Sequence, residues 1–215
     1  MAGASRGVFI SLEGPDGSGK TSQARLLVEW LRDRGHDVVL TREPGGTEIG
    51  DQIREILHDP GNVAMDARTE FLLYSASRAQ HVSQQIMPML ARGRLVVSDR
   101  YADSSLAYQG YGRGLDLEVL RIITAFATRN LKPDITLYLD IAPGEGLQRR
   151  VLSGEEWNRM DAEELAFHRR VREGYLTLAE AEPDRWRIVE ADRPVHEIQA
   201  DVRAVVSDYL GRGAD

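Results

Sequence analysis

Residues 9–21 constrain this chain most strongly, because they combine a short apolar run with a glycine-rich turn. Within them, Gly14, Gly19, Lys20 and Thr21 fit the spacing G-x-x-x-x-G-K-[ST], which is typical of loops that bind phosphate. Glycine lets consecutive backbone N–H groups turn toward one anion, and a helix after the loop adds its positive N-terminal end. The alternative is a glycine-rich turn that holds no ligand. The apolar run before the loop and the helical pattern after it favour a phosphate site.

Three side chains of this loop carry its chemistry. Lys20 would bring a positive charge to the outer phosphates of a nucleotide, and the Thr21 hydroxyl would supply an oxygen ligand for Mg²⁺. Asp16 is unusual, since it places a carboxylate inside a loop built for anions. Ordinary turn chemistry explains an aspartate there. A functional role would need a neutral donor close by, such as a sugar hydroxyl.

Composition narrows the class of protein. A net charge of −7 argues against a general nucleic-acid-binding protein, and without cysteine there are no disulfides, thiolate catalysis or Cys-based metal sites. The five histidines show no spacing typical of metal ligands. No apolar run approaches the ~20 residues needed to cross a bilayer, and the N-terminus lacks the apolar core of a signal peptide. We expect a cytoplasmic protein with neither a membrane nor a nucleic acid as partner.

The rest of the chain alternates between short apolar runs and amphipathic stretches of helical period. This pattern predicts strands at residues 8–12, 37–41, 95–99, 135–140 and 186–190, with helices after each. Strands that alternate with helices form parallel sheets covered on both faces. The chain is therefore predicted to fold as a three-layer α/β protein with a five-stranded parallel sheet flanked by helices.

Three stretches between these strands carry separate predictions. Residues 66–90 show a long helical pattern, which Pro88 is expected to kink or restart. Residues 101–114 are polar and punctuated by glycine, and they are predicted to form a loop. Residues 151–161 are polar, irregular and arginine-bearing, so they are predicted to form a short mobile lid on a single domain of residues 1–215.

Ligands of parallel sheets bind beyond the carboxyl ends of the strands, where two further charged residues lie. Asp99 ends the third strand, as the acidic residue of a Walker B element does, and would hold Mg²⁺ opposite Thr21, directly or through water. Arg100 follows it and could bind a phosphate through two parallel hydrogen bonds. A simple Asp–Arg turn pair is the alternative. The phosphate loop nearby favours the functional interpretation.

Tyr74 and Arg78 stand four residues apart on the long helical pattern and therefore share a face. A ring beside a guanidinium can stack on a flat base and hydrogen-bond its edge. Spacing alone favours a simpler interpretation, a core tyrosine with a surface arginine.

Three arginines, Arg149, Arg150 and Arg159, lie at or within the edges of the predicted lid. They could simply be solvated on helix faces. Next to a phosphate site, an arginine from a lid can also neutralise charge on the phosphoryl group that is transferred.

Four dispersed motifs then identify a family resemblance. Residues 14–21 read Gly-Pro-Asp-Gly-Ser-Gly-Lys-Thr, residues 41–46 read Thr-Arg-Glu-Pro-Gly-Gly, and residues 98–101 read Ser-Asp-Arg-Tyr, followed by Ser-Ser-Leu-Ala-Tyr-Gln-Gly at 104–110. The fourth is Leu-Tyr-Leu-Asp at 137–140. Together they resemble the bacterial thymidylate kinases, in order and over roughly residues 7–210.

This resemblance implies the P-loop kinase fold and a reaction, the transfer of the ATP γ-phosphoryl group to dTMP with Mg²⁺, which yields dTDP. It also implies a homodimer, for which the helices from Asp66 and Leu117 could supply an apolar face. The ATP site implied by the family comprises Gly14, Pro15, Asp16, Gly17, Ser18, Gly19, Lys20 and Thr21.

The resemblance also implies roles on the acceptor side. Asp16 would accept a hydrogen bond from the dTMP 3′-hydroxyl, and Arg100 would hold the acceptor phosphate. The remaining expected roles are stacking by Tyr74, contact with the base edge and phosphate by Arg78, pocket lining by Glu43 and Pro44, base reading by Ser105, and crowding of the sugar 2′ position by Tyr108.

One feature indicates the subtype. The variable positions of the phosphate loop hold no arginine, which resembles the bacterial class whose catalytic arginine comes from the lid. The lid departs from the enterobacterial pattern, where arginines are denser. The catalytic arginine is therefore predicted to be Arg149 or Arg150, with Arg159 as the third candidate.

Two other functions remain as alternatives. One is a kinase of another nucleoside or nucleoside monophosphate on the same fold, because thymine and uracil differ by a single methyl group. The other is a nucleotide-dependent switch or binding protein, although the guanine-reading N-K-x-D motif does not occur in the sequence.

Overall fold

Five parallel strands form the central sheet, in a computed structural model that describes residues 6–152 and 158–212. The strands are β1 (Phe9–Glu13), β2 (Val38–Arg42), β3 (Leu95–Asp99), β4 (Ile135–Asp140) and β5 (Trp186–Glu190). The helices are α1 (Lys20–Asp33), α2 (Glu48–His58), α3 (Ala67–His81), α4 (Met87–Ala91), α5 (Ala102–Ser105), α6 (Leu117–Thr128), α7 (Pro143–Leu152), α8 (Leu165–Ala181) and α9 (Val195–Arg212). The sheet order is β2-β3-β1-β4-β5, which confirms the predicted five-stranded parallel sheet.

Strand β1 lies in the middle of the sheet, paired with β3 on one side and β4 on the other. Its side chains alternate between two cores, so that Ile10 and Leu12 pack toward α1 and α9 while Phe9 packs on the opposite face. The strand order reverses direction at β1, and crevices for ligands open at such switch points. The loop of residues 14–19 leaves β1 at this point.

The face opposite α1 and α9 carries an aromatic core between the sheet and α8. Tyr138 of β4 stacks on Tyr175 of α8 with ring centroids 5.1 Å apart, and Trp186 packs edge-on against both rings. Helices thus cover both faces of the sheet, as the predicted three-layer architecture requires.

Residues 67–91 form one continuous helical rod. A π-helical turn at Val82–Ile86 joins α3 to α4 and ends just before Pro88, the second residue of α4. Proline has no N–H and its ring clashes with the carbonyl of an earlier turn, and a wider turn removes this conflict. The change of helix expected at Pro88 is therefore a local widening.

The prediction of a loop at residues 101–114 is wrong, because α5 and a following π-helical segment occupy most of this stretch. Its first two glycines serve packing. A Cβ on Gly110 would overlap a leucine side chain, and one on Gly112 would lie 2.6 Å from the Phe167 ring. Only Gly114, the third glycine of the stretch, has a positive φ (77°) and ends the helix as a turn glycine does.

The predicted lid begins in α7, which extends to Leu152, and ends in turns at residues 158–161. Residues 153–157 of the predicted lid lie outside the described residues. Arg159 and Met160 are buried, and Met160 joins the aromatic core. The C-terminal end of the lid is therefore packed against the body of the protein.

Two further findings concern residues 6–152 and 158–212. No helix in these ranges combines the length and the apolar character needed to cross a membrane. The same ranges hold no group of three or more His, Asp or Glu side chains placed to bind a metal ion together.

Candidate active site

A cavity of about 480 Å³ opens at the carboxyl ends of β1, β2 and β3, a volume typical of small-molecule sites. Its lining includes many of the residues singled out from the sequence: Asp16, Gly17, Gly19, Lys20, Thr21, Glu43, Pro44, Tyr74, Asp99, Arg100, Ser105, Tyr108, Arg149 and Arg150. Five others do not line it: Gly14, Pro15, Ser18, Arg78 and Arg159. The topology thus gathers most of the predicted site residues in one place.

The loop of residues 14–19 owes its shape to glycine. Gly17 and Gly19 adopt φ values of 76° and 85°, which other residues rarely adopt. Gly17 is required for a second reason, because a Cβ there would overlap the backbone carbonyl of Gly146 in α7. Conversely, a Cβ on Gly146 would lie 2.5 Å from the Asp16 carbonyl oxygen. The phosphate loop and α7 therefore touch through their backbones.

Lys20 is held by the loop that carries it. Its Nζ donates to the Pro15 carbonyl at 2.7 Å and to Ser18 Oγ at 3.2 Å, and the side chain is 6 % exposed. Burial and the nearby Arg100 lower the pKa of Lys20 to about 8. The ammonium therefore stands at the cavity with only neutral oxygens bound to it.

Thr21 and Asp99 face each other across the start of α1. The Thr21 Oγ1 donates to Asp99 Oδ2 at 2.5 Å, and both residues line the cavity. A hydroxyl and a carboxylate are the oxygen ligands that Mg²⁺ accepts beside phosphate. The donor set thus fits a nucleotide-bound magnesium ion.

Arg100 lines the cavity and is bound by several groups from distant parts of the chain. Its Nη1 donates to the Gly14 carbonyl at 2.9 Å, and its Nη2 donates to Asp16 Oδ1 at 2.6 Å and to the Tyr108 hydroxyl at 3.2 Å. Its backbone adopts φ 68°, an uncommon value for a residue other than glycine. That conformation turns the chain at the end of β3 and directs the guanidinium toward the phosphate loop.

Asp16 lies between the phosphate loop and Arg100. Burial alone would raise its pKa, but Arg100 and Lys20 outweigh burial and hold the pKa well below its usual range. The second carboxylate oxygen accepts from the Tyr108 hydroxyl at 2.8 Å. An anionic Asp16 can therefore accept one more hydrogen bond from a bound hydroxyl, as the family resemblance implies.

Arg78 lies behind the cavity wall, not on its surface. It is 1 % exposed, and it donates to Glu43 at 2.7 Å, to Ser105 Oγ at 3.0 Å and to the Tyr101 carbonyl at 3.2 Å. Glu43 also contacts His81 Nδ1 at 3.0 Å. The interpretation of Arg78 as a surface arginine is wrong, since the side chain closes a buried network beneath Ser105.

Tyr74 lines the cavity one helical turn before Arg78. The ring is half-buried, and burial together with Glu70 raises the pKa of its hydroxyl to about 12. It is the tyrosine of this pair that meets the cavity, whereas the arginine is fully enclosed. An aromatic face at the wall can stack on a planar base.

The three lid arginines separate into two groups. Arg149 and Arg150 line the cavity, where Arg149 donates to the Ala191 carbonyl at 2.7 Å and Arg150 pairs with Asp161 at 3.2 Å. Arg159 turns away from the cavity and pairs with Glu70 at 2.5 Å. The third candidate thus anchors the end of the lid, while the other two stand beside the phosphate loop.

Sequence reasoning missed several residues of the cavity: Arg42, Arg54, His58, Ser104, Gln109, Asn158 and Met160. Arg54 and His58 stand four residues apart on α2, a polar spacing that could have indicated their shared face. Burial and then Arg54 lower the pKa of His58 to about 4. Ser104 and Gln109 belong to the motif at 104–110, and this membership could have indicated both as site residues.

Sequence comparisons agree with this geometry. The family described as thymidylate kinase matches residues 12–202. A thymidylate kinase from Deinococcus radiodurans is 52% identical over 204 residues, covering 95% of this chain and 98% of the relative, and one from Roseiflexus sp. (strain RS-1) is 50% identical over 214 residues, covering 94% and 95%.

A structural comparison gives the same result. The crystal structure of thymidylate kinase from Ehrlichia chaffeensis superimposes with a TM-score of 0.77 at 32% sequence identity. The match covers 94% of this chain and 99% of that one. The family predicted from the dispersed motifs is confirmed: the chain belongs to the thymidylate kinase family.

Proposed function

We propose that this protein transfers the γ-phosphoryl group of ATP to the phosphate of dTMP. The observation that carries the proposal is one cavity that places the phosphate loop beside Arg100, a cation for a second phosphate, and beside Asp16, an acceptor for a sugar hydroxyl. In the reaction, the bond between the γ-phosphorus and its bridging oxygen breaks as a bond to a dTMP phosphate oxygen forms. Catalysis then consists of positioning and of neutralising the charge of two polyanions.

At the donor end, the backbone of residues 14–19 and the N-terminus of α1 would surround the ATP phosphates. Lys20 would exchange the Pro15 carbonyl for a phosphate oxygen, which is the stronger partner for an ammonium. Its buried position makes this exchange favourable, because a charge with neutral partners inside the protein gains most from an anion.

Thr21 and Asp99 would hold Mg²⁺ on the same side, with the ion taking the place of the hydrogen bond between them. When bound, Mg²⁺ would offset part of the negative charge of the phosphates. Asp99 also fixes the orientation of the Thr21 hydroxyl, which donates to it before nucleotide arrives. Dissociation constants for ATP measured with and without Mg²⁺ in Asp99→Asn and the unchanged chain test this assignment.

At the acceptor end, Arg100 would bind the dTMP phosphate and Asp16 would accept from the sugar 3′-hydroxyl. Support comes from the arrangement of these two side chains, which contact each other at 2.6 Å and both line the cavity. Tyr108 contacts both and would fill space beside the sugar. Tyr74 would stack on thymine, while Arg78 would act on the base through the Ser105 hydroxyl that it contacts.

A lid arginine, Arg149 or Arg150, would neutralise the transferring group. Both line the cavity and are bound to carboxylates, Arg149 to Asp192 and Arg150 to Asp161, which a phosphate can replace. Single alanine variants distinguish them, since loss of the catalytic arginine should lower kcat more than it raises KM. Arg159 is a weaker candidate because Glu70 and the Leu57 carbonyl hold it away from the cavity.

We also propose a homodimer that forms through α3 and α6. One face of α6 carries Val119, Ile122 and Phe126, which are 48%, 69% and 85% exposed. Leu72 is also exposed, on α3, which packs against α6. Exposed apolar side chains on two adjacent helices favour a second copy of the chain as their partner. Light scattering on Phe126→Glu should report one chain where the unchanged protein reports two, and Ile188→Glu on β5 is the control.

The acceptor assay tests the proposed function itself. ADP release is measured with Mg·ATP and each of dTMP, dUMP, CMP, AMP and thymidine. Strong preference for dTMP is the expected result. Preference for another monophosphate would assign that nucleotide as the acceptor instead of dTMP. ATP hydrolysis independent of any acceptor would favour a nucleotide-dependent switch or binding protein. A cytoplasmic location stays a prediction, which fractionation of the source cells tests.

A further inference from the structure

A buried carboxylate outside the phosphate chemistry contacts the wall of the cavity. Glu70 of α3 has a fully enclosed side chain, and its Oε1 accepts from the Gln109 side-chain amide at 2.7 Å. Arg113 pairs with its Oε2 at 3.0 Å and Arg159 with the same atom at 2.5 Å. Two arginines and one amide therefore converge on a single carboxylate.

Charge decides which way the Gln109 amide can point. Burial alone would raise the pKa of Glu70, but hydrogen bonds and charge from Arg113, with Gln109 and Arg159, hold it below its usual value. An ionised carboxylate only accepts hydrogen bonds, so it must face the amide nitrogen of Gln109 and not the oxygen. The amide orientation follows from the chemistry of its partner.

The amide oxygen is then left for the cavity. Gln109 lines the cavity beside Ser105 and Tyr108, and within residues 6–152 and 158–212 no protein group donates to its Oε1. This atom can only accept. An acceptor at a cavity wall that has no protein donor is matched by a ligand that donates and is penalised by a ligand that accepts.

Pyrimidine bases differ in whether the N3 position donates or accepts a hydrogen bond. Thymine and uracil carry N3–H, a donor, whereas the N3 of cytosine is an acceptor beside a 4-amino group. An amide free to rotate could serve both patterns, because its nitrogen donates and its oxygen accepts. An amide held with its oxygen toward the base matches only a base that carries N3–H.

We propose that Glu70 is a positioning residue that sets base selectivity by holding the Gln109 amide with its oxygen toward the base, so that bases with N3–H are accepted and cytosine is rejected. This inference rests on the proposed dTMP kinase activity. Glu70 acts through Gln109 and touches no substrate. The same orientation leaves discrimination between thymine and uracil to contacts with the 5-methyl group.

The test measures kcat/KM for dTMP, dUMP and dCMP in the unchanged chain and in Glu70→Gln. The variant removes the charge that dictates the amide orientation. We expect the dTMP:dCMP ratio to fall at least ~10-fold, through a raised KM for dTMP and a gain with dCMP. The dTMP:dUMP ratio should stay within ~2-fold, because both bases carry N3–H. A folded variant with an unchanged dTMP:dCMP ratio would overturn the proposal.

Glu163→Gln is the matched control. Glu163 pairs with Arg113 at 2.7 Å, as Glu70 does, but it makes no contact with Gln109. Its loss should leave both ratios unchanged. An equal fall of the dTMP:dCMP ratio in this control would overturn the proposal, because selectivity would then depend on the arginine cluster as a whole.

A second variant covers the case in which Glu70→Gln does not fold. Glu70→Asp keeps the charge for Arg113 and Arg159 but withdraws the carboxylate from Gln109 by one methylene. A reduced dTMP:dCMP ratio supports the inference, and an unchanged ratio overturns it. Failure of the proposed function looks different, since the unchanged chain would then show no preference for dTMP at all.

Discussion

The two cations of the site, Lys20 and Arg100, are held in opposite ways. Lys20 is bound by residues of its own loop, two and five positions away in the chain. Arg100 is bound by groups up to 86 positions away, from the phosphate loop and the π-helical segment. The position of Lys20 thus depends on local structure, whereas the position of Arg100 exists only once the sheet and the helices are assembled.

This difference predicts different responses to ligand and to mutation. The partners of Lys20 are neutral oxygens that a phosphate can displace at little cost. Arg100 already has the carboxylate of Asp16 and keeps its geometry without ligand. Lys20 should therefore control the rate and contribute little to stability, and Arg100 should affect both.

The largest effect is expected for Lys20→Ala. Loss of the charge at the transferring phosphates should lower kcat on the order of 1,000-fold. Stability should be unchanged or higher, because a buried ammonium with a lowered pKa opposes folding at neutral pH. Steady-state kinetics measure kcat, and chemical denaturation measures the free energy of unfolding. Arg25→Ala on the exposed side of α1 is the control. Loss of the fold in Lys20→Ala would contradict the local character of the Lys20 contacts.

Arg100→Lys should have the next largest effect. The charge remains, but an ammonium cannot reproduce the planar fork that binds Asp16 and Tyr108, so kcat/KM for dTMP should fall about 100-fold. Stability should also fall by about 1–3 kcal/mol, because the Asp16 carboxylate loses part of the hydrogen bonding that offsets its burial. Arg170→Lys is the control, since Arg170 binds the Gly112 carbonyl with two N–H groups outside the cavity. Equal losses in both variants would contradict a special role for Arg100.

A pair of glycine variants separates backbone strain from contact. Gly17 and Gly19 both have positive φ, so alanine at either position costs about 1–2 kcal/mol of stability. Gly17→Ala should cost more than Gly19→Ala, because only at Gly17 would the new methyl group overlap the backbone of α7. Thermal unfolding of the two variants gives the comparison. Equal unfolding temperatures would show that the loop and α7 are not in contact in solution.

The smallest effect concerns pH. The pKa of Lys20 in the free protein is lowered to about 8, so the ammonium that ATP requires is lost as the pH rises above this value. The kcat/KM for ATP should therefore decline up to tenfold per pH unit above about pH 8, while kcat declines less because bound phosphate stabilises the charge. In Lys20→Arg the guanidinium stays charged, and the decline should disappear. A decline that persists in Lys20→Arg would assign it to another group.

The same contrast explains how much could be predicted. The phosphate loop follows from glycine, lysine and threonine at fixed spacing, so local sequence was sufficient for it and for the strand that precedes it. The glycines of residues 101–114 resemble turn glycines and so predict a loop, whereas Gly110 and Gly112 make room for neighbouring side chains. Spacing alone predicts a surface position for Arg78, because its partners, Glu43 and Ser105, are 35 and 27 positions away. Contacts made by the tertiary structure leave little trace in local spacing.

The backbone contact between Gly17 and Gly146 has a mechanical consequence. Helix α7 has ten residues and is about 15 Å long, with its first turn resting on the phosphate loop and Arg149 and Arg150 near its other end. It can therefore act as a lever whose pivot is the loop. The end of the helix lies about 9 Å from Gly146, so a tilt of about 10° at this pivot would displace it by roughly 1–2 Å, enough for an arginine to gain or lose a hydrogen bond to a phosphate. A shift of the loop as it closes around a nucleotide would thus be amplified at the arginines, without any other element transmitting it.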